Sequence, residues 1–274
     1  MRLKLSHTTR YHYGAPVRHA MQVLRLTPRA HDGQFVRDWR IEIDADGLLL
    51  GGEDALGNIT RTFFIEGPVS EVNVNVSGII DTTDTAGKVS GARETFPPGF
   101  WLRSSELTDP NPAITQFAYG LRAAEGGDSV ATLHALMQAI QKQMRFVVGE
   151  TSSLTSAAQA WENRIGVCQD FAQVFLSCAH VLDIPARYVS GYYLLHETTE
   201  QSAGHAWAEA HIEGLGWIGF DPANGVCVDE RYVRVAIGTN AHDAAPVRGS
   251  RSGGGTETLD VAVHVSQIIA NSAQ

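Results

Sequence analysis

The hydrophobic pattern changes its period part-way along the chain. From Met1 to Thr85 apolar and polar residues alternate, most plainly at Val72, Val74 and Val76, around Leu3 and Leu5, and from Trp39 to Ile43. A period of two sends successive side chains to opposite faces and predicts half-buried strands. Turn-forming clusters at Asp44-Ala45-Asp46-Gly47 and Leu56-Gly57-Asn58 separate them, and no helical stripe of useful length intervenes. Sheet packed on sheet, an antiparallel β-sandwich, is therefore expected for residues 1–85. Residues 86–112 carry Pro97-Pro98-Gly99 and Asp109-Pro110-Asn111-Pro112, which break regular structure, and read as a linker.

After Pro112 the period becomes 3.6. Ile114, Phe117, Ala118 and Leu121 line one helix face; Val130, Leu133, Met137, Ile140 and Met144 line a second, behind the capping pair Asp128-Ser129. A third stripe starts at Cys168 and runs through Phe171, Val174, Phe175, Cys178 and Val181 or Leu182 until Asp183-Ile184-Pro185 stops it. Strand-like runs follow at 187–195, 205–212, 217–221, 232–237 and 258–265. Helices first and antiparallel strands afterwards predict an α+β domain over residues 113–274, with Ser250 to Gly255 as a flexible loop before the last strand.

Composition narrows the classes. At 274 residues, 43% apolar and 19% charged, the chain can bury a sizeable core and is far from disorder. A formal charge of −9 disfavours nucleic acid and anionic lipid as partners. No apolar run approaches membrane-spanning length, and Cys168, Cys178 and Cys227 form an odd set without a close CxxC pair. A cytoplasmic protein without a disulfide framework is expected. No acidic loop has EF-hand spacing, and neither a metal nor another cofactor is implied.

The chemistry concentrates at Gly166-Val167-Cys168-Gln169-Asp170-Phe171, where a cysteine stands at the mouth of a helix. Unpaired N–H groups and the positive end of the helix dipole favour an anion there, hence a thiolate, and the cysteine's own N–H faces a space where an oxyanion could sit. Such a nucleophile needs a base, and the base a third group to hold it. Of eleven histidines, His205 stands out, following Gly204 at the head of a strand. Asp221 closes the next strand before Pro222. A three-residue loop, Glu213-Gly214-Leu215, would set Asp221 opposite Trp207 and diagonal to His205 on one face; a two- or four-residue loop would separate them.

With GVCQDFAQVF, IPARYVSGY, GHAWAEAHI and GWIGFDPANG around these three residues, the chain from about Ser129 to Val235 closely resembles the transglutaminase-like cysteine enzymes. The first 85 residues, with TRYHYGAPV and VLRLTPR, look like the β-region preceding that core in a bacterial branch of the superfamily. The resemblance implies a papain-type fold, Cys168 as nucleophile, His205 as acid/base and Asp221 as the orienting carboxylate. It implies a thiol-dependent hydrolase of amide or peptide bonds acting on a peptide, protein or small amide; transfer to an amine and a noncatalytic binding module are the alternatives. The sequence sets no oligomeric state.

Other residues have quieter expectations. Asp170 would oppose a thiolate unless neutralised, and Arg187 is expected to pair with it. Trp207 is a supporting candidate, and Trp161 could lend an indole N–H to an oxyanion hole, though core packing is favoured. Cys178 and Cys227 read as packing. Gly214-Leu215-Gly216-Trp217-Ile218-Gly219 matches GxGxxG but sits within strands, so it serves a hairpin rather than a dinucleotide. Glu209 and His211 lack further ligands for a metal and are expected to be solvated or hydrogen-bonded. Arg248 and Gly253 to Gly255 are candidates for a substrate rim.

Overall fold

The computed structural model describes residues 1–195, 200–201 and 203–268. The N-terminal half opens with β1 (Arg2–Thr27), β2 (Gln34–Asp44), β3 (Gly47–Glu53), β4 (Ile59–Thr82) and the short β5 (Lys88–Val89). Next come α1 (Pro112–Ala124), α2 (Ser129–Gln143), β6 (Arg145–Phe146), α3 (Ala157–Asn163), β7 (Ile165–Gly166) and α4 (Cys168–Val181). The remainder is β8 (Ala186–Tyr193), β9 (Glu200–Gln201), β10 (His205–Ile212), β11 (Gly216–Asp221), β12 (Val226–Cys227), β13 (Tyr232–Gly238), β14 (Val247–Gly253) and β15 (Glu257–Gln267). The class is α+β, as the change of period predicts.

The first sheet is antiparallel and seven-stranded, in the order β2-β4-β1-β15-β9, with β3 on β4 and β14 on β1. Its apolar face carries Leu3, Leu5, Val72, Val74 and Val76 and packs against Tyr192, Leu194, Val233 and Val235 around the second sheet. Sheet does lie on sheet, but the second layer comes from beyond residue 85. Two buried amides tie the layers in the manner of an extra strand. Gln34 donates to the Arg234 carbonyl at 2.9 Å and accepts from its N–H at 2.8 Å; Asn58 does the same for Ile237, at 2.8 Å each way.

The division at residues 113–274 assigns the last strands to the second domain. Their pairing instead places β14 and β15 in the N-terminal sheet, against the two halves of β1. Arg248 lies opposite Val23, and Ser250 to Gly253 are strand, so the loop is only the tight reversal near Gly254-Gly255. Residues 86–112 also do more than link. Within them β5 pairs with β11, and Trp101 is fully buried against Trp217.

The second sheet runs β12-β11-β10-β8-β13, with β5 also on β11. Ala206, Ala208 and Ala210 of β10 give α4 a smooth floor, so Phe171, Val174 and Phe175 sit directly on the sheet. Each helix starts on a local signal. Asn111 accepts from Ile114 N–H at 2.9 Å, Asp128 from Ala131 N–H at 2.7 Å, and Ser156 with Gln159 forms a reciprocal capping box for α3, a short helix that periodicity does not show. After α4, Asp183 takes a left-handed conformation (φ 57°) before Pro185.

Candidate active site

One end of the second sheet collects the chemistry. Strands alternate in direction, so the first residue of β10 (His205), the last of β11 (Asp221), the last of β8 (Tyr193) and the first of β13 (Tyr232) gather there, beside the N-terminus of α4. The β10–β11 hairpin has the three-residue loop, with Ile212 opposite Gly216 and Ala208 opposite Phe220. His205 Nε2 consequently lies 2.6 Å from Asp221 Oδ2. The Cys168 side chain faces the same cleft and is near enough to help raise the ring's pKa; with Nε2 on Asp221, Nδ1 is the nitrogen left for the sulfur.

The carboxylate of Asp221 is fully buried but well supplied. Tyr232 Oη donates to Oδ2 at 2.8 Å and Asn224 Nδ2 at 2.7 Å, while Oδ1 accepts the N–H groups of Ala223 and Asn224 at 2.9 and 3.1 Å. Burial favours a neutral acid, yet charged His205 and these donors outweigh it and hold Asp221 below its ordinary value. For His205, burial opposes the charge, but the Asp221 carboxylate, its hydrogen bond to the ring and the nearby Cys168 sulfur lift the ring to about 10. It is therefore an imidazolium at neutral pH. Tyr193, Trp207 and Tyr232 surround it, with ring centroids 5.4, 6.2 and 5.9 Å away.

Asn224 and Tyr232 are the residues that sequence reasoning misses. Asn224 had a signal, an amide three residues past Asp221 in a Pro-containing turn, where Asx side chains bond locally. Tyr232 had none, because its approach depends on the position of β13 in the sheet.

Asp170 does not meet Arg187. Its Oδ2 accepts from Val167 N–H at 2.8 Å and from Thr151 Oγ1 at 2.8 Å, folding back over the start of α4. Burial raises its pKa, which the Val167 and Thr151 bonds only partly offset. Arg187 projects from the other face of β8, away from Ala186 and Tyr188, which pack on the helices. There its Nε bonds Glu209 at 2.7 Å, its Nη1 bonds Glu94 at 2.6 Å, and its guanidinium stacks 3.8 Å from the Trp217 ring centre. Glu209 is shared with Arg234 at 2.7 Å, which is its hydrogen-bonded role; it is buried, not solvated.

Trp161 belongs to the core, under Arg164 and against Phe117, and is absent from the cleft wall. Cys178 is fully buried and Cys227 partly so; burial pushes both thiols up. Arg248 and Gly253 to Gly255 lie on the N-terminal sheet and not at the rim. No cluster of three or more metal-ligating side chains occurs among the described residues. A cleft of about 770 Å³ opens over Cys168 and His205, walled by Phe146, Val148, Thr151 and Tyr193.

Comparisons with known proteins bear on the family and the fold. Residues 3–81 match the bacterial transglutaminase-like N-terminal region, and residues 115–222 match the transglutaminase-like superfamily. An uncharacterized protein of Mycobacterium leprae is 30% identical over 280 residues, covering 97% of this chain and 99% of the relative. The chain belongs to the transglutaminase-like superfamily. An uncharacterized protein of Mycobacterium tuberculosis is 27% identical over 90% of this transglutaminase-like chain and 87% of its own length. A crystal structure from Cytophaga hutchinsonii, described as a candidate cysteine protease, superposes with a TM-score of 0.78 at 20% identity, covering 100% of this chain and 92% of that one. That likeness is one of fold.

Proposed function

We propose that the protein is a thiol-dependent hydrolase of amide or peptide bonds. The observation that carries this reading is the row Cys168–His205–Asp221, in which the acid is 2.6 Å from the imidazole and the thiol opens onto the cleft. His205 and Cys168 act as an imidazolium–thiolate pair. The sulfur attacks the substrate carbonyl, and the new oxyanion draws on the N–H groups at the mouth of α4, which have no intrahelical acceptor. His205 Nδ1 then gives its proton to the departing amine as the C–N bond breaks, leaving an acyl-thioester on Cys168. Water, deprotonated by the now neutral imidazole, attacks the thioester; the acid leaves and the starting pair is restored. Asp221 keeps the ring oriented and compensates its charge throughout. Water is the favoured acceptor because the cleft is open to solvent.

The test is intact-mass detection of an acyl adduct after brief exposure to peptide pools, with turnover measured on wild type and Cys168→Ala. Iodoacetamide should label Cys168 much faster than Cys178 and Cys227. Turnover retained in Cys168→Ala, or uniformly slow labelling, overturns the reading in favour of a binding module. Incorporation of a labelled amine in preference to water would make the enzyme a transferase.

A further inference from the structure

Resting on Cys168 as the nucleophile, we propose that the cleft accepts an uncharged, apolar residue on the acyl side of the scissile bond, seated against Phe146 and Val148. The leaving amine has to lie at His205, which protonates it, so the acyl half of the substrate extends away from the histidine. The wall that follows α2 lines the same cleft and is tied to the chain just before Cys168. It is anchored by the parallel bridge of Phe146 with Gly166 and by the bond from Val147 N–H to the Gly166 carbonyl at 3.0 Å, which bring it within two residues of Cys168.

This wall is built and yet uncovered. Phe146 is 56% exposed and Val148 75% exposed, although both belong to the cleft. The Phe146 ring is not loose: it leans on the buried Phe171 ring of α4 at 6.3 Å between centroids. Thr151, bonded to Asp170, fixes the far end of the segment to the helix. Preorganised apolar surface at a reactive sulfur gains most from an apolar group that covers it. Among the described lining residues the charged group is His205, which Asp221 engages and the leaving amine needs, and no Asp, Glu, Lys or Arg joins Phe146 and Val148, so a charged acyl side chain gains no free partner beside them. The formal charge of −9 adds a long-range penalty for acidic substrates.

The experiment uses four peptides that differ only in the acyl residue, Leu, Gln, Asp or Lys. It reads kcat/KM together with the mass of the acyl adduct on Cys168. The Leu peptide should lead by about ten-fold or more, the scale of discrimination an apolar pocket provides. Phe146→Ser and Val148→Ser should each erase most of that preference while leaving the rate of Cys168 alkylation by iodoacetamide unchanged. Equal or faster acylation by the Gln, Asp or Lys peptide overturns the inference and leaves the hydrolase intact; so does a preference that survives both substitutions. Failure of every peptide to acylate Cys168 removes the hydrolase reading, and the inference with it.

Discussion

His205 Nε2 and Asp221 Oδ2, 2.6 Å apart, are joined across a hairpin whose loop length alone decides whether they share a face. Their titrations follow from this contact. His205 is raised from its ordinary 6.5 to about 10, so the stabilisation it contributes is complete below pH 6.5 and is lost as pH rises toward 10. Asp221 is lowered, so its share is present above the usual carboxylate range and is lost as pH falls below it. Thermal stability should therefore plateau between about pH 4 and 6.5. In Asp221→Asn burial remains while the carboxylate charge is gone, and the imidazole should titrate well below its wild-type value by NMR, with activity down about 10²-fold. A ring still protonated at pH 8 in that variant would break the proposed coupling.

A second prediction concerns the buried charges on the opposite face of the sheet. Burial disfavours the Glu209 carboxylate, but Arg234 and Arg187 overcome this and hold it at about 2. Its stabilisation is present above the ordinary value of 4.5 and is lost only as pH falls toward 2. Glu209→Ala leaves two guanidiniums without their shared partner and should cost about 3–5 kcal/mol in urea unfolding. Glu94→Ala should cost less, because Glu94 is partly exposed and Arg187 keeps Glu209. Equal losses from the two substitutions would contradict this division.

What the sequence discloses, and what it withholds, tracks the range of the interactions. The helix of Cys168 and the β10–β11 register are legible because period and loop length act over a few residues. The return of β14 and β15 to β1 is not, since pairs such as Val23 with Arg248 are more than two hundred residues apart and no local pattern names a partner strand. The expected Asp170–Arg187 pair fails for a related reason. Parity shows that Arg187 faces away from Ala186 and Tyr188, but which of those faces meets α4 is set by layer stacking. The roles of Glu94 and Tyr232 depend likewise on a packed segment and on strand order.

The Asp170–Thr151 contact yields a third prediction, because one carboxylate oxygen holds both the first turn of α4 and the cleft wall. Asp170→Ala leaves the Val167 N–H and the Thr151 hydroxyl unsatisfied and should destabilise by about 1–3 kcal/mol. Turnover should fall as well, since the N–H groups near Cys168 lose their anchor. Asp170→Asn retains an acceptor and has no charge to bury, so it should recover most of both. Thr151→Val frees only the wall and should raise KM with little change in kcat. A fall in kcat alone would contradict that assignment.

Gly166 offers the sharpest steric test, for it owes its place to space and not to an unusual backbone conformation. A Cβ built there would lie 2.5 Å from Asp170 Cβ and 2.8 Å from Oδ2, closer than real Cβ contacts come. Asp170 is fully buried and tied to Val167 and Thr151, so it has no free direction in which to retreat. In Gly166→Ala the carboxylate must swing away or the first turn of α4 must shift, and either movement displaces Cys168 from His205. Turnover and the rate of Cys168 alkylation should drop together, while melting falls by no more than the loss in Asp170→Ala. The double variant Gly166→Ala/Asp170→Gly, which removes the colliding Cβ, should recover alkylation. If it recovers none, the clash with Asp170 is not what requires glycine at this position.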